Sequence, residues 1–77
     1  MTQNYIIDWF EKKGSIRKED IAMEDNYIER GYIDSFGFLE LIQNCEDHFK
    51  IKFCDSDFED ENIFTVIGLI KIIENKR

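Results

Sequence analysis

The chain has 77 residues, a formal net charge of -7 and a pI near 4.5. This length suits a single domain over residues 1–77, and a hydrophobic fraction of 43% with seven Phe argues against a disordered acidic tail. The negative charge argues against nucleic acid or an anionic membrane as a partner and favours the basic surfaces of other proteins.

The first segment has the spacing of an amphipathic helix. A helix of about three turns is predicted over residues 3–13, and Gly14 is placed to end it. Its stripe repeats at steps of three and four through Ile6, Trp9, Phe10 and Lys13. Between Ser15 and Asp34 no period is sustained, so we expect a long loop with at most a short helical turn.

The segment after Ser35 carries the clearest helical pattern in the chain. Its apolar residues repeat at steps of three and four and predict the buried face of a helix of about four turns. That face consists of Phe38, Leu41, Ile42, Cys45 and Phe49.

The remaining segments predict a connector and further helices. Residues 51–53 alternate like a strand but form too short a run, so we expect an extended connector. Asp57 is predicted to cap a short turn through Ile63, and Thr65 to cap a last helix with Val66, Leu69, Ile70 and Ile73 inside. We assign the aromatic residues at helical spacings, Trp9, Phe10, Phe49, Phe53 and Phe64, to the core. The expected fold is all-α: a small bundle of three main helices and one short helix.

Ser35 stands where the long loop becomes the best helix. Free backbone N–H groups and the helix dipole favour an anionic group at such a position. Asp34 can cap the first turn or help to bind metal and a modifying enzyme, and the residues alone do not decide between these roles. Gly31 allows a sharp turn before the Ser, and Gly37 leaves the surface beside it uncluttered. Taken alone, an Asp-Ser pair is most often an ordinary helix cap.

Residues 26–49 resemble the modification site and second helix of acyl carrier proteins. The resemblance rests on the loop that leads to Asp34 and Ser35 and on the helical pattern that follows, and Thr65 and Val66 resemble the start of the last helix in many carriers. It implies that Ser35 carries 4'-phosphopantetheine, donated by coenzyme A, and that Asp34 and Gly31 support that site. The chain would then be a carrier on which other enzymes act, and not itself an enzyme.

The form of the motif leaves the cargo open. Asp-Ser-Phe-Gly, with two residues between Gly31 and Asp34, is more similar to stand-alone carriers of specialised pathways, including D-alanyl carrier proteins, than to many fatty-acid carriers. The thioester cargo would be a fatty or polyketide-like acyl chain, or an amino acid such as D-alanine. The implied partners are a phosphopantetheinyl transferase and an adenylating ligase, or an acyltransferase or synthase, with a basic docking surface.

The outer face of the helix after Ser35 resembles the recognition surface of carriers. Its members are Phe36, Leu39, Glu40, Gln43, Glu46 and Asp47. Acids would attract basic partners while Phe36 and Leu39 supply apolar contact. Two alternatives stay open: these acids are a solvated helix face, or the chain is an unmodified acidic interaction module in which Ser35 is only a cap.

Other chemistry is not expected. His48 lies thirteen residues after Ser35, about 20 Å along the same helix, too far to act as its base. Residues 55–66 begin like a calcium loop but lack the required Gly and final Glu, so no specific metal site is predicted. Two cysteines make neither a disulfide framework nor a zinc site, and no secretory signal or membrane span is visible. We expect a cytoplasmic monomer.

Overall fold

Helices dominate the structure, a computed structural model that describes residues 2–77. In this range the chain forms four α-helices: α1 (Thr2–Gly14), α2 (Ser35–Phe49), α3 (Asp55–Glu59) and α4 (Val66–Lys76). Two short 3₁₀ helices accompany them, Lys18–Asp20 and Glu61–Phe64. The only β-type pairing among the described residues is one antiparallel bridge between Asn26 and Thr65. The predicted all-α bundle of three main helices and one short helix is confirmed.

Helix α1 follows the predicted period and ends at Gly14, as expected. Ile6, Trp9 and Phe10 are buried, and the helix packs against α4. The left-handed residue that reverses the chain is Ser15, however, with φ of 53°. Gly14 has a different role: a Cβ atom there would lie 2.9 Å from the carbonyl oxygen of Tyr32, so only glycine lets the loop pass this closely.

The long connection between α1 and α2 is a loop with one short turn, as predicted, and Tyr27 anchors it. The Tyr27 side chain is fully buried, and its hydroxyl donates to the carbonyl oxygen of Ile63 at 2.5 Å. Its backbone N–H donates to the carbonyl oxygen of Phe64 at 2.9 Å. The loop is therefore held against the 3₁₀ helix that precedes α4.

Helix α2 turns its predicted face inward. Phe38, Leu41, Ile42 and Cys45 are buried, whereas Phe49 in the last turn is half-buried beside Tyr5 and His48. The helix ends at Phe49, and the left-handed conformation of the following residue, Lys50 (φ 58°), lets its N–H bond back to the carbonyl oxygen of Glu46. Phe53 and Phe64 are also half-buried against the core rather than inside it.

The predicted cap at Asp57 is wrong. The N-cap of α3 is Cys54, and Asp57 is the third residue of the helix, where its Oδ2 accepts the Cys54 N–H at 2.8 Å. The same carboxylate pairs with Lys76 of α4 at 2.8 Å. The segment to Ile63 is divided, because Asp60 caps a separate 3₁₀ helix by accepting the Asn62 N–H.

Helix α4 starts as predicted. The Thr65 hydroxyl accepts the Gly68 N–H at 3.0 Å, and Val66, Leu69 and Ile73 are buried, with Ile70 half-buried. A Cβ atom at Gly68 would lie 2.0 Å from the Asn62 carbonyl oxygen, so glycine allows α4 to approach the preceding turn. None of the helices formed by residues 2–77 combines the length and the apolar character that crossing a membrane requires.

The Tyr27 hydroxyl gives a test of the loop anchor. Replacing Tyr27 with Phe leaves the buried Ile63 carbonyl without this donor, and we expect a loss of about 1–3 kcal/mol in the free energy of unfolding. Tyr5→Phe is the matched control, since its hydroxyl contact with Asn44 is 3.5 Å long and should contribute less than about 0.5 kcal/mol. Urea denaturation measures both, and equal losses would contradict the anchor.

The buried thiol of Cys45 predicts a loss of stability at alkaline pH. Burial, helped by the charge of Glu46, raises the pKa of Cys45 from 9.0 to about 12. Above pH 9 the unfolded chain therefore holds fewer protons than the native state, so this group's contribution is complete below pH 9 and declines toward pH 12. The decline should reach at most about 1.4 kcal/mol per pH unit.

Urea denaturation under reducing conditions at several values between pH 8 and pH 10 measures this slope. Cys45→Ala should flatten it, whereas Cys54→Ala, at an exposed position, should leave it unchanged. The same slope in both variants would mean that Cys45 is not the source.

Candidate functional site

Ser35 is the first residue of α2, and its side chain is exposed. The preceding residue, Asp34, is the N-cap: its Oδ1 accepts the Gly37 N–H at 2.8 Å, and its carbonyl oxygen accepts the Phe38 N–H at 2.9 Å. Of the roles that the sequence left open for Asp34, the structure shows the cap. Because Asp34 fills it, Ser35 is not the capping residue of this helix.

The loop before α2 turns at Gly31 and buries Ile33. Gly31 has φ of +80°, a conformation that side chains disfavour, and it turns the chain toward α2 as predicted. Ile33 is buried beneath the first turn of the helix. A Cβ atom at Gly37 would lie 3.0 Å from the Ile33 Cβ, so Gly37 makes room for Ile33 below the helix, and it also lines the surface beside Ser35.

An open pocket of about 710 Å³ adjoins Ser35. Its wall combines the loop, the first turns of α2 and the end of α1, and it is lined by Lys13, Ile28, Gly31, Tyr32, Ile33, Asp34, Ser35, Phe36, Gly37 and Glu40. Phe36 is 82% exposed and Leu39 is 62% exposed, so two large apolar side chains lie on the surface near the serine. The site therefore offers a hydroxyl, apolar contact area and a few charges.

The first turn of α2 suits an anionic group on Ser35. The Asp34 carboxylate uses the Gly37 N–H, and within residues 2–77 no acceptor is bonded to the N–H groups of Ser35 and Phe36. Free N–H groups and the helix dipole stabilise a negative charge at this end. The residues present thus fit a phosphodiester at the Ser35 oxygen.

The predicted recognition residues differ in how freely they face solvent. Phe36, Leu39, Gln43 and Asp47 are exposed. Glu40 is exposed too, but Lys13 Nζ pairs with its Oε2 at 3.0 Å. Glu46 is half-buried, and its Oε2 accepts the Phe53 N–H at 2.9 Å, which gives this acid a structural contact.

Lys13 is a residue of this site that the sequence did not reveal. Its spacing placed it in the stripe of α1, yet it contributes to the wall of the Ser35 pocket, 27 positions away from its partner Glu40. Periodicity describes one helix at a time and contains no signal for a contact between two helices.

His48 and the cysteines lie apart from Ser35. His48 is near the end of α2 and stacks on Tyr5 with ring centroids 4.0 Å apart. Cys45 is buried and Cys54 is exposed, both as free thiols. Over residues 2–77, no three side chains of His, Cys, Asp or Glu come together as a metal site would require.

A small helical bundle that exposes a serine at the start of its main helix has the architecture of a carrier protein. D-alanyl carrier proteins of Streptococcus equi subsp. zooepidemicus and Streptococcus equi subsp. equi are each 33% identical to the chain over 75 residues, which covers 95% of this chain and 91% of each relative. No protein-family model matches the chain. At this identity and coverage, the chain belongs to the acyl carrier protein family, among its stand-alone, phosphopantetheine-dependent carriers.

Asp34 can be tested as a cap separately from its charge. Asp34→Ala removes the acceptor of the Gly37 N–H and should lower the free energy of unfolding by about 1 kcal/mol. Asp34→Asn keeps an oxygen acceptor and should stay within about 0.5 kcal/mol of the parent protein. Urea denaturation compares them, and similar losses in the two variants would show that the charge, not the cap, stabilises the helix.

Proposed function

We propose that the chain is a discrete acyl or aminoacyl carrier whose Ser35 is modified with 4'-phosphopantetheine. The observation that supports this most strongly is that Ser35 is exposed in the first turn of α2, where Asp34 and not Ser35 is the cap, beside an open pocket. Family membership supports the carrier role, and the site supports the choice of residue.

Modification requires a bond between Ser35 Oγ and phosphorus. The oxygen attacks the phosphorus next to the pantetheine end of the coenzyme A diphosphate, the P–O bond within the diphosphate breaks, and 3',5'-ADP leaves. Among the described residues Ser35 Oγ has no hydrogen-bond partner. We therefore assign removal of its proton to a base of the phosphopantetheinyl transferase. The first turn of α2 then holds the new phosphodiester through its free N–H groups.

The attached arm would supply a terminal thiol that holds cargo as a thioester. An adenylating ligase, or an acyltransferase or synthase, would load this thiol. The relatives are named D-alanyl carrier proteins, so D-alanine is the first cargo to test on this chain. A fatty or polyketide-like acyl chain is the alternative.

The surface beside Ser35 supports transient contact with such enzymes. Phe36 and Leu39 offer exposed apolar area, and Glu40, Gln43, Glu46 and Asp47 share the same helix. The net charge of -7 favours basic partners. We propose that the chain acts as a monomeric single domain in the cytoplasm, where thiols such as Cys54 stay reduced.

The rival function, an unmodified interaction module, explained Ser35 as a helix cap. In the structure that position belongs to Asp34, which accepts the Gly37 N–H. Ser35 makes no side-chain hydrogen bond among the described residues that would account for it structurally. This favours the carrier function.

The intact mass of the protein tests the proposal. Incubation with coenzyme A, Mg²⁺ and a broad-specificity phosphopantetheinyl transferase should add one phosphopantetheine group to the parent protein and none to Ser35→Ala. Because Asp34 keeps the cap, Ser35→Ala should change the free energy of unfolding by less than about 0.5 kcal/mol.

Ser56→Ala is a matched control, since it removes an exposed serine at the start of another helix and should still gain the group. Failure of the folded parent protein to gain mass with several transferases would favour the interaction module. A gain of mass by Ser35→Ala would place the modification elsewhere.

A further inference from the structure

Lys13 lies where α1 meets the recognition face of α2. It is in the last turn of α1, and its Nζ is 3.0 Å from Glu40 Oε2. Both side chains are 49% exposed, so the pair is at the surface rather than in the core. Both residues also line the pocket beside Ser35. An enzyme that reaches Ser35 must therefore approach this ion pair.

The pair changes the charge of the surface nearest to Ser35. Asp34 is occupied as the helix cap, and Glu40 pairs with Lys13. The large exposed side chains between them are Phe36 and Leu39. The surface close to Ser35 therefore offers apolar area and two acids that already have partners within the chain, although the molecule as a whole is acidic.

We propose that Lys13 is a specificity-determining residue, which competes with a basic side chain of the modifying transferase for Glu40. The proposal rests on the carrier function proposed above and adds a selection step to docking. A basic side chain that meets Glu40 gains the ion pair only after Lys13 has been displaced. The free energy gained is the difference between two ion pairs, so a partner whose basic group pairs with Glu40 no better than Lys13 does gains little.

The chemistry of the partner group follows from this competition. An arginine can hold a carboxylate through two parallel N–H bonds, which the single ammonium group of Lys13 cannot do. A lysine of the partner would replace Lys13 with an equivalent group. The surface therefore favours a transferase that places an arginine opposite Glu40, beside its contacts to Phe36 and Leu39.

Removal of Lys13 should consequently improve docking. Lys13→Met frees Glu40, and we expect the KM of the transferase for the carrier to fall about two- to fivefold with kcat unchanged. Steady-state modification by a broad-specificity phosphopantetheinyl transferase with coenzyme A measures both constants. Lys13→Arg keeps an ion pair to Glu40 that is at least as hard to displace, so its KM should be no lower than that of the parent protein.

Lys12→Met is the matched control. Lys12 is the exposed neighbour in the same turn and is not part of the pocket wall, so this variant makes the same change in net charge away from the site. Its KM should stay close to that of the parent protein. When Glu40→Gln is also present, Lys13→Met should no longer lower the KM, so that Lys13→Met/Glu40→Gln and Glu40→Gln have the same KM.

Three results would overturn the proposal: an equal change of KM in Lys12→Met and Lys13→Met, a benefit that persists with Glu40→Gln, or a higher KM for Lys13→Met. The last would mean that Lys13 itself contacts the transferase or coenzyme A. Lys13→Gln and a thermal unfolding curve for each variant exclude an effect of misfolding. Modification of the parent protein in the same assay keeps these outcomes separate from failure of the carrier function.

Discussion

The attachment of Tyr27 to the turn before α4 is the constraint on which the rest of the structure depends. Twenty residues separate α1 from α2, from Ser15 to Asp34, and they form no continuous element. Tyr27 fixes this stretch through its buried hydroxyl and its backbone N–H, and the neighbouring Asn26 bridges to Thr65. Its ring packs 5.1 Å from Phe10 and 6.3 Å from Phe38, centroid to centroid. One side chain thus joins the loop to α1, α2 and the turn that starts α4.

The contacts of Tyr27 also position Ser35, the proposed site of modification. After Tyr27 the chain has only to turn at Gly31, bury Ile33 and begin α2. Each of these steps restricts the backbone, so the position of Ser35 follows from the core although the residue itself is exposed. An attachment site needs this combination, because the hydroxyl must be accessible while the N–H groups beneath it stay fixed.

Sequence periodicity predicted the features that depend on residues close together in the chain. The helices and most of their buried faces could be read from steps of three and four, and the Thr65 cap from its place before an apolar run. The cap was wrongly predicted at Asp57 because an acidic residue suits two positions at the start of a helix. It can be the N-cap itself, or it can occupy the third helical position and accept the N–H of the N-cap residue, as Asp57 does. The choice between these two arrangements also involved Lys76, which is remote in sequence.

In the candidate site, too, the residues close together in sequence were predicted, whereas the contact between two helices was not. Ser35, Asp34 and Gly31 are consecutive or nearly so, and their positions at a loop-to-helix boundary were visible in the sequence. Lys13 was not, since its contact with Glu40 depends on how α1 and α2 pack. The role expected for Gly37 was also incomplete, because the atom it makes room for, Ile33 Cβ, lies beneath the helix.

Charge acts at two distances in a carrier of this kind. Under the proposed carrier function, the net charge of -7 favours encounter with basic enzymes, over a distance of about 8 Å, one Debye length at physiological salt. At contact, however, Glu40 already pairs with Lys13 within the chain, so an ion pair gained at Glu40 replaces an existing one. Fast encounter then coexists with weak docking, which is what a carrier requires, because it has to leave each enzyme before it can meet the next.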